Sequence, residues 1–216
     1  MVSDLLHHLD TRKSMESSGI HPRVPMELVE MLIEPLPIIH HSSWLLWEVL
    51  IDWTLASVMS IYKKDQKKDL GNYRSVSLTS VPGKVMEHII LSIITWHMQN
   101  NQKGRYCLTK LISFNGNSTH LLDEGKVLDI VYLDFSKSFD TVSHSIVLEK
   151  LAAWDLHRST DCWVENCLDG QVCTVVVNGI TSRWWAVSSG VPEGSVLGLV
   201  QFSIFLNDLD SGIKCT

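Results

Sequence analysis

The sequence predicts an α+β fold, built as one domain of fair size or two small ones. Apolar residues recur at helical spacing in several segments, for example 81–98. Short apolar runs such as 130–133 are typical of buried strands. With 216 residues, 45% of them hydrophobic, and a mean hydropathy of +0.09, the chain has the composition of a globular protein.

The composition also bears on location. No apolar stretch reaches the roughly 18 residues that a membrane helix needs. The best candidate, 37–51, is interrupted by His40, His41 and Glu48. Residues 1–11 do not have the basic and then apolar pattern of a signal peptide. We therefore expect an intracellular protein, nuclear and/or cytoplasmic, that is not secreted.

Charge is distributed unevenly along the chain. The net charge is −6, whereas a general nucleic-acid binder is usually basic. Between residues 61 and 105, however, eight Lys or Arg stand against three Asp or Glu. This basic segment is suited to gripping phosphates, while the acidic remainder is suited to holding cations. The alternative is a solvated lysine-rich turn at 63–68.

The first elements are predicted to be helical. An amphipathic pattern covers 24–33, and Pro35 and Pro37 are expected to end it. Its predicted core face consists of Val24, Leu28, Met31 and Leu32. In the next apolar segment, Trp44 and Trp47 stand at helical spacing, which is typical of a core.

Strands are predicted at 55–62 and 76–78, and a helix at 81–98. Further helices are predicted at 143–153, with Ser143 as the cap, and at 160–168.

Two later signals concern the C-terminal part. A β-hairpin is predicted at 171–187, with Asn178-Gly179 as its turn. The glycine-rich stretch 189–195 opens a predicted helix at 196–209, and such a turn brings backbone N–H groups close to a ligand.

The central stretch is 129–140. Its apolar run, 130–133, is predicted to be a buried strand, and Asp134 stands where the run stops. An Asp at that position can reach a metal or a phosphate, and the alternative is an ordinary strand-to-turn Asp. An aspartyl-phosphate hydrolase is excluded, because the second Asp of that chemistry is replaced by Ser136.

Three stretches in order resemble the reverse transcriptase of LINE-type (non-LTR) retrotransposons of the jockey-like branch. They are NYRSVSLTS at 72–80, YLDFSKSFD at 132–140 and SGVPEGSVLG at 189–198. The resemblance implies a right-hand polymerase: a poorly defined N-terminal segment (1–18), helical and β fingers (19–120) and an incomplete palm (121–216). It also implies an RNA template, a DNA primer and deoxynucleoside triphosphates as partners, with no membrane and no obligate protein partner.

The resemblance implies roles for individual residues. Asp134 matches the first catalytic aspartate, which binds both Mg²⁺ ions of the family, and Phe135 adds its backbone carbonyl to the metal site. The implied nucleotide-binding residues are Arg74, Phe139, Glu193 and Gly194. The implied nucleic-acid-binding residues are Lys63, Lys64, Lys84 and Gly190.

The departures from the family matter as well. Glu193 stands where the family has Gln, and a carboxylate there is expected to repel a triphosphate. No two adjacent aspartates occur in the sequence, so the second Mg²⁺ site is expected to be incomplete. We therefore expect a truncated reverse-transcriptase fragment that is inactive as this chain. The alternative is a non-catalytic RNA-binding remnant that keeps the basic fingers.

Overall fold

The computed structural model describes residues 4, 23–63, 66, 68, 72–100, 119–127, 129, 137–177 and 179–208. These residues form a mixed α+β structure. Its helices are α1 (Arg23–Glu27), α2 (Val29–Leu32), α3 (Pro35–Leu46), α4 (Ile51–Thr54), α5 (Val81–Asn100), α6 (His144–Ala152), α7 (Arg158–Asp169) and α8 (Gly198–Phe205). Its strands are β1 (Leu55–Tyr62), β2 (Tyr73–Leu78), β3 (Val172–Val177), β4 (Ile180–Thr181) and β5 (Trp185–Ala186).

The described strands form a five-stranded mixed sheet in the order β2-β1-β3-β4, with β5 also paired to β3. β1 is antiparallel to β2, with Tyr62 opposite Tyr73, and parallel to β3, with Leu55 opposite Val172. The strand predicted at 55–62 is confirmed. β2 is longer than predicted, because its pairing with β1 continues to Tyr73.

The core is built around α5, which confirms the helix predicted at 81–98. Met86, Ile90 and Ile94 lie four residues apart on one face of α5, and none is more than 2% exposed. They pack in one cluster with buried residues of α6 and α7. Trp163 of α7 donates its Nε1–H to Ser43 Oγ (3.0 Å), which satisfies the polar atom of this buried ring.

The predicted face of the first helix is wrong for three of its four residues; the fourth, Leu32, packs against a buried cluster. Leu28 and Met31 are 41% and 73% exposed, and Val24 is exposed too, whereas Val29 is buried. The reason is that the segment is not one continuous helix. α1 and α2 are separate short helices that meet at Leu28, so a single helical period does not run through both.

The two prolines have a different role from the expected one. α2 ends before Pro35, but Pro35 and Pro37 then lie in the first turn of α3. A proline is tolerated there because the first N–H groups of a helix have no partner within it. Trp44 packs against the core, as predicted. Trp47 follows the end of α3 and donates its Nε1–H to Ser159 Oγ (3.1 Å), joining α3 to α7.

The predicted hairpin is present, although its return strand is broken. Gly179 (φ +80°) lies between β3 and β4. Ser182 then accepts the N–H of Val175 with its side-chain oxygen (3.0 Å). A side chain thus takes the place of a ladder bond, and pairing resumes at Trp185 in β5.

The remaining helices begin near their predicted positions. α6 begins at His144, and the Ser143 hydroxyl bonds to Ser145 Oγ (2.9 Å) instead of acting as the predicted cap. The helix after the glycine-rich stretch begins at Gly198, two residues later than predicted. Within the described part of the chain, no helix is both long and apolar enough to cross a membrane.

Candidate functional site

The glycine turn, residues 190–198, lies beside the chain segment that precedes α6. The backbone N–H of Gly190 donates to the carbonyl of Val142 (2.7 Å). The N–H of Val191 donates to the carbonyl of Phe139 (2.9 Å). Two of the three stretches singled out in the sequence are therefore neighbours in space.

The expected metal ligands fall on residues of which nothing is described. Asp134 and Phe135 lie outside the described residues, so their metal-binding role stays a prediction. Within the described part of the chain, no group of three or more His, Cys, Asp or Glu side chains could hold a metal ion.

Position 190 requires a glycine. Its φ is +87°, and a Cβ atom there would lie 2.8 Å from the carbonyl oxygen of Asp140. The carbonyl of Gly190 accepts a hydrogen bond from His144 Nε2 (2.6 Å), so that nitrogen must carry a proton. Asp140 thus meets the turn through its backbone.

The other side of the glycine turn closes the free edge of the sheet. The N–H of Ser77 in β2 donates to the carbonyl of Glu193 (2.7 Å). Gly194 has a φ of +120°, and a Cβ atom there would lie 2.7 Å from the carbonyl oxygen of Ser77. An edge strand otherwise offers unpaired backbone groups to other chains, and the turn covers β2 at Ser77.

Glu193 and Arg74 form an ion pair across this junction. Arg74 Nε donates to Glu193 Oε1 at 2.5 Å, and a second guanidinium nitrogen contacts the same oxygen. The Arg74 side chain is 56% exposed and that of Glu193 22%. An ion pair this accessible contributes at most about 1 kcal/mol. The carboxylate that was expected only to repel a triphosphate therefore has a cation of its own.

Glu87 holds the far end of the glycine turn, and sequence reasoning missed it. Its carboxylate oxygen Oε2 accepts the N–H groups of Val196 (2.5 Å) and Leu197 (3.0 Å). Burial raises the pKa of Glu87, while the two amides and the nearby Lys84 charge oppose the rise. A lone acidic residue on the buried face of a helix is the sequence signal that could have revealed it.

Phe139, one of the residues expected to bind the nucleotide, is partly buried and packs against the core. Its ring stacks on that of Phe202 in α8, with centroids 4.8 Å apart and 27° between the planes. The contact is within the range of favourable aromatic pairs. It ties the segment before α6 to the helix that follows the glycine turn.

The described lysines of the basic segment lie in different surroundings. Lys63 is exposed just after β1, where its N–H donates to the carbonyl of Asn72 (2.9 Å) and closes the β1–β2 connection. Lys84 lies in the first turn of α5, near Glu87. Lys64 lies outside the described residues.

A cavity of about 190 Å³ opens between the sheet and the glycine turn. Ala56 and Val58 of β1 and Ser77 of β2 form one wall, and Asp140 and Gly190 belong to the opposite side. The junction therefore contains an open groove between the sheet and the glycine turn.

A family model for reverse transcriptase (RNA-dependent DNA polymerase) matches residues 61–215. The chain belongs to this family. The match begins at the end of β1 and includes β2, the segment before α6 and the whole glycine turn, so the geometry of these parts is that of a reverse transcriptase domain.

Named relatives come from mobile elements of insects. One is the RNA-directed DNA polymerase from mobile element jockey of Drosophila melanogaster, 25% identical over 100% of this chain and 25% of that protein. Another is the retrovirus-related Pol polyprotein from type-1 retrotransposable element R2 of Popillia japonica, 31% identical over 40% of this chain and 14% of that protein. The chain spans a quarter or less of the length of the curated relatives it matches.

We expect Gly194→Ala to destabilise the reverse transcriptase domain by about 2–3 kcal/mol, because it adds backbone strain and a clash with the Ser77 carbonyl. Gly179→Ala is the matched control: its φ is also positive, at +80°, but no described atom lies within 4 Å of the added Cβ. It is expected to cost about 1 kcal/mol. Urea denaturation measures both changes. Equal losses would mean that the close contact at Ser77 is unimportant.

Proposed function

We propose that this chain is part of an RNA-directed DNA polymerase of a non-LTR retrotransposon and carries its nucleotide- and template-facing surface. The observation that carries the proposal is the place of the glycine turn. It lies between the edge strand β2 and the chain that follows Asp134. Family membership supplies the reaction class, nucleotidyl transfer onto a DNA primer along an RNA template.

In this proposal Asp134 and the backbone carbonyl of Phe135 hold Mg²⁺. Carboxylate and carbonyl oxygens are ligands that Mg²⁺ prefers. When bound, two such ions would stabilise the attacking and leaving oxygens of phosphoryl transfer.

The proposed nucleotide-binding residues surround the junction of β2 and the glycine turn. Arg74 offers a guanidinium to the triphosphate, and Gly194 lets the backbone approach closely. Glu193 competes for Arg74, and Phe139 lies beside the turn. The proposed nucleic-acid contacts are Lys63, Lys64, Lys84 and Gly190.

The division into fingers (19–120) and palm (121–216) is part of the same proposal. β3 comes from the second region and pairs with β1 of the first, so both regions contribute to one sheet. The proposed location is intracellular, nuclear and/or cytoplasmic, where the RNA template and deoxynucleoside triphosphates are found.

We expect these 216 residues alone not to extend a DNA primer on an RNA template with Mg²⁺. Two-metal catalysis needs carboxylates that converge from two places, and the sequence has no two adjacent aspartates. A chain lengthened by the family's paired-aspartate strand and thumb, with Glu193→Gln, is expected to extend the primer. Asp134→Ala in the lengthened chain is expected to abolish extension.

The assay also tests the alternative. RNA binding without extension, even by the lengthened chain, would favour a non-catalytic RNA-binding module. The pairing of Glu193 with Arg74 supports this alternative, because it occupies the guanidinium that a triphosphate would bind. Extension by the short chain that is lost in Asp134→Ala would contradict the expected inactivity.

Replacing Glu193 should free Arg74. We expect Glu193→Gln to raise the affinity for dTTP of the protein bound to primer and template by up to about fivefold. This change corresponds to the loss of an exposed ion pair of about 1 kcal/mol. Arg74→Gln should weaken the same binding. Glu165→Gln, at an exposed position of α7, is the control and should change nothing. Weaker binding in Glu193→Gln would show that the carboxylate assists the nucleotide rather than competing with it.

The basic segment is expected to carry the RNA affinity. Changing Lys63, Lys64, Lys67 and Lys68 together to Gln should lower the affinity about tenfold and reduce the salt slope by about 3. The control changes four lysines outside the segment, Lys13, Lys110, Lys126 and Lys214. The RNA affinity of both quadruple variants is measured by fluorescence anisotropy at several salt concentrations. Equal slopes for both quadruple variants would mean that the four lysines form only a solvated turn.

A further inference from the structure

Glu87 is an unusual residue for its position. It lies on α5, is 6% exposed, and belongs to the same buried face as Met86 and Ile90. Burial of a carboxylate is costly unless hydrogen bonds satisfy it. Here the partners are backbone amides of the glycine turn, which come from more than 100 positions later in the chain.

These amides would otherwise lack partners. Val196 and Leu197 directly precede α8, whose first N–H groups have no acceptor within the helix. Ser195 Oγ accepts the N–H of Gly198 (2.9 Å), and Glu87 accepts the two amides before it. Ser195 and Glu87 thus accept three successive backbone N–H groups at the start of α8, and Glu87 attaches the end of the turn to α5.

The same turn is held at its middle by β2. The carbonyl of Glu193 accepts the Ser77 N–H, and Gly194 contacts the Ser77 carbonyl. Only Ser195 separates Gly194 from the amides that Glu87 binds. An ångström of movement at Val196 would therefore be felt at Glu193 and Gly194.

We propose that Glu87 is the positioning residue of the glycine turn: by binding the amides of Val196 and Leu197, it sets how Glu193 and Gly194 meet β2. The effect of Glu87 on nucleotide binding rests on the proposed function. Its effect on the position of the glycine turn does not depend on that function. Glu87 does not touch the nucleotide and acts only through the backbone of the turn.

The protonation of Glu87 offers an independent readout. Both amides bond to Oε2, so Oε1 can carry a proton without breaking either bond. Among the described residues, the charged or titratable groups that interact with Glu87 are Lys84 on its own helix and Cys167 on α7. Lys84 favours the carboxylate; burial raises the pKa of the Cys167 thiol, which therefore adds no charge near neutral pH.

The sign of the pH effect follows from the raised pKa. The folded protein keeps the Glu87 proton above the ordinary value of 4.5, while the unfolded chain releases it. Stability contributed by Glu87 is therefore lost as the pH rises from about 4.5 through the raised pKa. Glu87→Gln should remove this part of the pH dependence.

The test compares Glu87→Ala, Glu87→Gln and the exposed control Glu165→Ala by amide hydrogen exchange and ¹H–¹⁵N NMR. In Glu87→Ala we expect at least about tenfold faster exchange at Val196, Leu197 and Ser77, with Ile94 in the core unchanged. Glu87→Gln should stay within about threefold of the unchanged chain, because its amide oxygen still accepts. The amide shifts of Val196 and Leu197 should titrate in the unchanged chain and not in Glu87→Gln.

Two results would overturn the proposal. One is unchanged exchange at all three amides in Glu87→Ala, and the other is equal acceleration at Ile94, which reports general loss of stability. If Glu87→Ala does not fold, the test rests on the amide shifts of Val196 and Leu197 in the unchanged chain and in Glu87→Gln. Shifts that do not change with pH in the unchanged chain would then overturn the proposal. Binding of dTTP, weakened in Glu87→Ala and retained in Glu87→Gln, tests the catalytic meaning. Absence of dTTP binding in every chain would count against the proposed function, while the exchange result would still decide the role of Glu87.

Discussion

Two backbone contacts with no space for a Cβ atom decide the arrangement of this reverse transcriptase domain. Gly190 lies on the carbonyl of Asp140, and Gly194 lies on the carbonyl of Ser77. The glycine turn can reach the segment before α6 and the edge of β2 only because both positions lack side chains. The ion pair and the Phe139–Phe202 stack adjoin these contacts, since Glu193 precedes Gly194 and Phe139 precedes Asp140.

The electrostatics of the site differ from what its residue types suggest separately. By residue type alone, Glu193 is unsuited to a nucleotide site and Arg74 is available for a triphosphate. In the structure each is the other's partner. The pair is accessible to water, so salt screens it and competing anions can replace it. In the proposed nucleotide site, Glu193 would therefore compete with phosphate for Arg74, to an extent that depends on ionic strength.

Much of this structure could be predicted from sequence, and the failures have physical causes. β1 was placed correctly because its apolar run matches the strand period, and α5 because its apolar residues recur every four positions. The face of 24–33 was wrong because the helix is interrupted at Leu28. Gly190 and Gly194 were predicted as turn residues because of their residue type. Glu87 could be recognised only as a lone acid on an apolar helix face, and its partners could not be predicted because backbone amides carry no sequence signature.

The parallel pairing of β1 with β3 has a consequence for how the chain is made. Among the described strands, only β2 is available to pair with β1 when β1 leaves the ribosome, because β3 follows more than 100 residues later. Contacts of such long sequence separation form late and slowly. During synthesis the inner edge of β1 is therefore an open template for other strands. Nascent chains of this domain are expected to depend on chaperones until residue 177 has left the ribosomal tunnel.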